Sequence, residues 1–131
     1  MTYGLSSRLK KHSNKPGHRE LYSGLIRLHV LYHASEEPIF GLAMIEELAR
    51  HGYRLSPGTM YPLLHGLEKK GLLRSTRTGP RPNSRLVYRA TAAGQAALAV
   101  AKDKVRELFG ELFEDAMNAA SDTSAKWRKR S

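Results

Sequence analysis

The segment from Ser56 to Leu73 constrains the fold of this chain more than any other part. Ser56 followed by Pro57 predicts the start of a helix, because a serine hydroxyl accepts hydrogen bonds from first-turn amides and proline suits the first helical position. Apolar residues at helical spacing give this helix one hydrophobic face, made of Met60, Leu63, Leu64 and Leu67. The opposite face is slim and becomes basic towards its end, and it consists of Gly58, Pro62, His65 and Lys69. We therefore predict a helix whose N-terminal end enters a groove of DNA.

Regular structure is predicted on both sides of this helix. Gly52 stands where a left-handed residue ends the preceding helix, and Thr91 is expected to cap the last one. The predicted elements are helices over residues 18–34 and 41–51, strands over 72–77 and 85–90, and a long helix over 92–119. Three helices followed by a two-stranded hairpin is the order of a winged helix-turn-helix.

The first predicted helix carries apolar residues on several sides. Its leucine stripe repeats at helical spacing and consists of Leu21, Leu25, Leu28 and Tyr32. Ile26, Val30 and Leu31 widen the apolar surface beyond that stripe. We therefore expect this helix to be buried on more than one side.

The fold class that we predict is mainly α, with three helices, a two-stranded β wing and a long C-terminal dimerisation helix. The predicted division of the chain is a basic arm over 1–17, a winged helix domain over 18–91, the dimerisation helix over 92–120 and a basic tail over 121–131. The length of 131 residues suits one such core.

The apolar residues of the last helix repeat every seven positions, which indicates a surface that packs against another helix. The residues predicted to form this dimerisation surface are Leu98, Ala101, Val105, Leu108, Phe109, Leu112, Phe113 and Ala116. The alternative is that this helix folds back on its own domain.

The net charge of +10 is unevenly distributed along the chain. No acidic residue occurs from Lys69 to Ala101, and this stretch carries many of the lysines and arginines. Segregation of charge favours a polyanionic partner over simple solubility, although a merely solvated basic surface is the alternative.

The residues that we expect to contact double-stranded DNA are Ser56, Thr59, Tyr61, Pro62, His65, Lys69, Lys70, Arg74, Arg77, Arg81 and Arg85. For Tyr61, a place in the core is the alternative. For Arg81 and Arg85, contact with phosphate alone is the alternative to reading a minor groove.

Several classes of protein are not supported by the sequence. The absence of cysteine excludes a disulfide framework and thiolate metal sites. No catalytic motif, phosphate loop or apolar membrane span stands out, so we expect neither an enzyme nor a cofactor. His29 and His33 share a helical face, but no third ligand is evident, and packed histidines are the favoured interpretation over a metal site. We expect a cytoplasmic, nucleoid-associated protein.

The segment from Gly52 to Leu73 resembles the signature of PadR-type transcriptional regulators. It reads Gly-Tyr-x-Leu-Ser-Pro-Gly-Thr-Met-Tyr-Pro-Leu-Leu-His-x-Leu-Glu-x-x-Gly-Leu-Leu. Upstream, the Pro-Ile-Phe-Gly run at 38–41 is similar to the start of the first helix-turn-helix segment in that family, and residues 88–94 are similar to its second wing strand and the start of its dimer helix. The wing departs from the usual pattern, because Val87 replaces one of a pair of tyrosines.

The resemblance implies a dimeric repressor that binds an inverted-repeat operator. Members of that family often bind a small effector near the dimer interface, and Tyr32, Phe109 and Phe113 are candidate lining residues for such a pocket. Ordinary core packing of these aromatic residues is the alternative. Two other functions stay open at this point. One is a sequence-neutral architectural DNA-binding protein, and the other is a protein-interaction module that uses the long C-terminal helix.

Overall fold

Three helices, a hairpin and a fourth helix follow one another in the computed structural model, which describes residues 16–114. The helices are α1 (Pro16–Glu36), α2 (Gly41–Arg50), α3 (Pro57–Lys69) and α4 (Ala92–Leu112), and the strands are β1 (Leu73–Arg77) and β2 (Leu86–Ala90). This is the predicted winged helix-turn-helix order. The predicted arm up to residue 15, the tail over 121–131 and Ala116 lie outside the described residues.

Two glycines end the two helices that precede the wing, α2 and α3. Gly52 and Gly71 have φ angles of 92° and 82°, a left-handed conformation that glycine adopts without steric strain. After α2, the amide of Tyr53 donates to the carbonyl of Leu48 over 2.9 Å, which closes the helix end. The predicted left-handed end at Gly52 is therefore confirmed.

The start of α3 differs from the prediction in one respect. Ser56 has the extended backbone of a residue that precedes a helix, but its hydroxyl makes no capping hydrogen bond to a first-turn amide. Instead, its carbonyl accepts from the amides of Thr59 and Met60 at 3.0 and 2.9 Å, and its hydroxyl lies 3.4 Å from the Thr59 hydroxyl. The backbone carbonyl already satisfies these amides, so the exposed hydroxyl stays available for another partner.

The hydrophobic core lies between α1, α2, α3 and the hairpin. Val30, Leu48, Met60, Leu64 and Tyr88 are completely buried at its centre. Ile39, just before α2, pairs with Tyr88 through two backbone hydrogen bonds of 2.9 and 2.8 Å, so a short extended segment covers the edge of β2.

The burial of α1 agrees only in part with the expectation. Ile26, Val30 and Ala34 are buried in the core, whereas Leu21 and Leu25 on the opposite side of the helix are 70% and 45% exposed. At 100° per residue, the leucine stripe and the core-facing residues lie about half a turn apart. Leu31 is buried as well and Leu28 is partly buried against the core, so α1 buries a broad face and leaves Leu21, Leu25 and Tyr32 exposed.

Glu47 connects α1 and α2 at the C-terminal end of α2. One of its carboxylate oxygens lies 3.1 Å from Nε2 of His51 and 3.6 Å from Nε2 of His33, and the other oxygen accepts from Arg50. The hydrogen bond with His51 lowers the pKa of Glu47, with a further contribution from Arg50. Partial burial, together with the neighbouring His51 and His33, lowers the pKa of His29.

Thr91 joins the end of the wing to the start of α4. Its hydroxyl accepts a hydrogen bond from the amide of Gly94 over 3.0 Å, which confirms the predicted cap, and donates one to the carbonyl of Gly71 over 2.6 Å. The amide of Thr91 donates to the carbonyl of Leu72 over 3.0 Å. The first turn of α4 is thereby fixed to the turn that follows α3.

The chain divides into two compact units, of which the first ends at Leu98 and the second begins at Ala99. The predicted division fell at residue 91, before α4. The difference arises because Gly94 and Leu98 are buried in the first unit, so the first turns of α4 belong to the winged domain. No helix within residues 16–114 combines the length and the apolar character that crossing a membrane requires.

We predict that Gly94→Ala destabilises the winged domain. A Cβ at this position would lie 2.1 Å from the carbonyl oxygen of Leu72, so the backbone of α4 or of the turn has to move. The expected loss is about 1–3 kcal/mol of unfolding free energy, measured by urea denaturation. Gly66→Ala is the matched control, because its Cβ meets no atom within 4 Å and alanine favours a helix. Equal stability of the two variants would contradict the close approach.

Candidate nucleic-acid interface

The two faces of α3 have opposite environments. The predicted inward face is confirmed, since its four apolar residues, Met60, Leu63, Leu64 and Leu67, are all buried. Pro62, His65 and Lys69 on the other face are exposed, and Thr59 is partly exposed at its edge. The face is therefore held by the core behind it and open to a large partner in front.

Pro62 lies on the exposed face without interrupting α3. The helix continues from Pro57 to Lys69 although a proline lacks the amide that would bond to the carbonyl of Gly58. This carbonyl lies in the first turn, where the missing bond disturbs the fewest neighbours. The flat ring of Pro62 keeps this part of the face slim and free of charge.

Tyr61 is partly buried rather than fully presented to solvent. Its ring lies against Gly41 at the start of α2, so closely that a Cβ on Gly41 would come within 2.6 Å of the ring. It also packs against the hydrophobic core. This position agrees with the core alternative for the ring, while one edge of Tyr61 still lines an open groove next to the wing.

The groove lies between the start of α2, α3 and the tip of the wing and has a volume of about 260 Å³. Phe40, Leu42 and Leu86 give it apolar walls, and Arg77 and Arg85 give it positive charge. A cleft with this combination suits a sugar–phosphate edge better than a free apolar molecule, because both cations line its rim.

The basic residues predicted to contact DNA are all exposed. They are Lys69 and Lys70 at the end of α3, Arg74 and Arg77 on β1, and Arg81 and Arg85 in or beside the wing loop. Within residues 16–114, none of these six side chains is paired with an aspartate or glutamate. Their charges are therefore not neutralised by the described part of the chain.

Arg89 belongs to this surface, although the sequence did not single it out as a site residue. In the antiparallel register Arg74 faces Arg89 directly, and both side chains are exposed. Like charges at directly opposed positions of a sheet destabilise it. An anion that lies across both guanidinium groups removes that repulsion. In the sequence, the alternation of Arg85, Val87 and Arg89 puts these residues on one face of the predicted strand. The pairing register of the two strands is needed to show that Arg89 faces Arg74.

Glu68 positions the wing relative to α3. Its carboxylate accepts hydrogen bonds from both the amide and the hydroxyl of Ser75 on β1, at 3.0 and 2.7 Å. These bonds to a charged acceptor are stronger than bonds between neutral groups. Glu68 is the last acidic residue before the acid-free stretch, and sequence reasoning did not assign it this role.

Two of the three arginines in or next to the wing loop, Arg77 and Arg85, are restrained by neighbouring groups. Nη1 of Arg77 donates to the carbonyl of Ser84 over 2.9 Å, and the guanidinium of Arg85 lies 4.0 Å above the ring of Phe40. Such a cation–π contact contributes about 0.5–1 kcal/mol at an exposed site. Arg81 lies in the turn at the loop tip and is exposed.

The predicted dimerisation residues fall into two groups. Leu98 is only 7% exposed and belongs to the core of the chain itself, so its assignment to a dimer surface is wrong. Val105, Leu108, Phe109, Leu112 and Phe113 are between 44% and 64% exposed, and the rings of the two phenylalanines lie 4.8 Å apart. Ala101 is partly exposed. An exposed apolar surface thus begins beyond Leu98.

Comparison with known proteins agrees with this architecture. The family description "Transcriptional regulator PadR-like family" matches residues 30–100. The transcriptional regulator Rv3488 of Mycobacterium tuberculosis is 46% identical over 95 residues, which cover 72% of this chain and 89% of that protein.

Solved structures show the same fold. A PadR family transcriptional regulator from Eggerthella lenta superposes with a TM-score of 0.63 at 32% identity, covering 72% of this chain and 84% of that one. A PadR-like transcription factor from Bacteroides fragilis gives a TM-score of 0.65 at 21% identity, covering 76% and 98% of the two chains, and this likeness concerns the fold alone. The winged domain built around α3, together with these matches, shows that the chain belongs to the PadR-like family of transcriptional regulators.

Proposed function

We propose that this protein is a homodimeric repressor that binds an inverted-repeat site in double-stranded DNA. The observation that carries the proposal is the exposed face of α3, which lies beside cations that no described acid neutralises. A cytoplasmic location at the nucleoid is part of the proposal.

The first turns of α3 enter the major groove in this proposal. Ser56, Thr59 and His65 approach base edges or adjoining phosphates, and the edge of Tyr61 that faces the groove accompanies them. Thr59 offers a hydroxyl that donates and accepts, and the uncharged surface of Pro62 allows the helix to approach the bases closely.

The cations surround this helix and contact the backbone of DNA. Lys69, Lys70, Arg74 and Arg77 bind phosphates, which position the protein without reading sequence. The Arg74–Arg89 pair is a favourable place for one phosphate, because the two positive charges are already adjacent. Arg81 extends to the minor groove, where arginine responds to groove width. Arg85 is held against Phe40 and contacts the flanking phosphate.

The second copy of the chain is held through the part of α4 that begins at Ala101. Val105, Leu108 and Leu112 lie on one helical face, and Phe109 and Phe113 widen it. These five large apolar side chains are 44–64% exposed, and contiguous exposed apolar patches mark interaction sites in soluble proteins. Leu21, Leu25 and Tyr32 on α1 are also exposed and support self-association. A small apolar effector bound beside Phe109 and Phe113 completes the proposal.

Selection of bound sequences from random duplexes at physiological salt tests the proposed function. The expected result is an inverted repeat with half-sites about one helical turn apart, bound by two chains. With roughly 8 phosphate contacts, the logarithm of the binding constant should fall with the logarithm of salt concentration with a slope near −7. No preferred sequence with the same steep slope would instead indicate an architectural DNA-binding protein. No binding at all would favour a protein-interaction module.

Substitutions on α3 separate sequence reading from phosphate contact. Lys69→Ala is expected to weaken binding to the selected and to unrelated duplexes by similar factors and to reduce the salt slope by about 1 for each subunit. Thr59→Ala is expected to change the ratio between the two duplexes, because its hydroxyl lies at the edge that enters the groove. Fluorescence anisotropy with both duplexes measures the ratio, and an identical ratio in the two variants would show that the face has been assigned wrongly.

Leu108→Asp is expected to convert the dimer into a monomer. The substitution places a charge in the apolar surface of α4, where its desolvation opposes association. Val100→Asp is the matched control, because Val100 is 58% exposed but lies off the heptad face. Light scattering during size-exclusion chromatography gives the mass of each variant. A Leu108→Asp variant that stays dimeric would place the dimer contact elsewhere.

A further inference from the structure

Three histidines from two helices meet at the junction of α1 and α2. His29 and His33 are one turn apart on α1, and His51 follows the last residue of α2. Each of the three offers a ring nitrogen, and these nitrogens all lie within 4.8 Å of one another. The rings of His29 and His51 are stacked with centroids 4.7 Å apart.

Glu47 adds a carboxylate to this cluster. It precedes His51 by one helical turn, and its oxygen lies 3.1 Å from Nε2 of His51 and 3.6 Å from Nε2 of His33. Two residues spaced i and i+4 on α1 thus face two residues with the same spacing at the C-terminal end of α2, where His51 is the capping residue. Such spacing puts both donors of each helix on the side where the helices meet.

The distances are close to those that a tetrahedral ion requires. Zinc–nitrogen and zinc–oxygen bonds of about 2.0–2.1 Å place neighbouring ligand atoms about 3.4 Å apart. The two distances from Glu47 lie on either side of this value. The longest nitrogen separation must shrink by roughly 1.4 Å to reach it, which rotation of the side chains of His33 and His51 can supply because both are partly exposed, at 28% and 45%.

The surroundings of the cluster also suit an ion that enters from solvent. The ring of Tyr53 lies edge-on to His29 with a centroid separation of 5.5 Å, which restricts the orientation of the most buried imidazole. Arg50 binds the other oxygen of Glu47 and so fixes the carboxylate with one oxygen towards the histidines. Partners of this kind orient metal ligands in known sites.

We propose that His29, His33, His51 and Glu47 form a binding site for one divalent transition-metal ion of the zinc type. Imidazole nitrogens bind zinc, cobalt and nickel ions well, whereas magnesium and calcium prefer sites made of oxygen alone. The ion would connect the middle of α1 to the end of α2. The site is separate from the surface of α3 and the wing, so it stands whether or not the proposed DNA contacts are correct.

Zinc titration of the full-length protein by isothermal calorimetry tests the site. Wild-type protein is expected to bind one zinc ion per chain at this site, and magnesium is expected not to compete. His51→Ala removes an exposed ligand with little risk to the fold, and it should weaken zinc binding at least tenfold. His65→Ala is the matched control, since His65 is an exposed histidine outside the cluster, and it should bind zinc as the wild type does.

Two further measurements distinguish coordination at this cluster from nonspecific uptake. Cobalt should give the visible absorption of a four-coordinate ion with wild-type protein and His65→Ala but not with His51→Ala. Zinc should raise the melting temperature of the first two proteins and not of the third. If circular dichroism shows His51→Ala to be unfolded, Glu47→Gln replaces it in all measurements. The proposal would be overturned if the wild type showed no saturable zinc binding, or if substitution of a ligand weakened zinc binding less than tenfold.

Discussion

Met60 and Leu64 are completely buried beneath α3, and every proposed base contact is made from the other side of the same helix. This division constrains the rest of the structure, because α3 must be apolar enough behind to anchor in the core and slim enough in front to approach DNA. Gly41 is part of the same arrangement. Its lack of a side chain leaves space for the ring of Tyr61, which joins the first turn of α2 to α3. The exposed face is therefore supported on two sides before any partner binds, and little conformational entropy remains to be lost on binding.

The electrostatics of the wing follow from the arrangement of a few side chains. The carboxylate of Glu68 accepts two hydrogen bonds from Ser75 and so joins α3 to the wing, and within residues 16–114 it forms no ion pair with the neighbouring cations. Arg74 and Arg89 meanwhile repel one another across the strands. The free protein thus keeps an uncompensated positive surface, which attracts polyanions over several ångströms and makes association sensitive to salt.

Much of the fold could be predicted from residues whose local chemistry allows one structure. Gly52, Thr91 and the buried face of α3 are examples, since each depends on neighbours close in sequence. The exposed leucines of α1 could not be assigned, because the helix carries apolar residues on two sides and their spacing alone does not show which side meets the core. Leu98 follows the heptad spacing of α4 but is buried in the core of the winged domain. The spacing of apolar residues along a helix does not show which of them contact the helix's own domain and which are left for another partner. His51 is distant from His29 in sequence, so only the packing of α2 on α1 supplies a third ligand to the histidine pair.

The hydroxyl of Thr91 bonds at once to the first turn of α4 and to the turn that ends α3. A movement of that first turn therefore breaks the bond to Gly71 or carries Gly71 with it. Because Gly71 lies just beyond the C-terminal end of α3, such a displacement reaches that end of the helix through the Thr91 hydroxyl and through the backbone bond from Thr91 to Leu72. Valine at position 91, which keeps the shape of threonine but lacks its hydroxyl, would remove the bonds to Gly71 and Gly94 and leave the backbone bond to Leu72 in place.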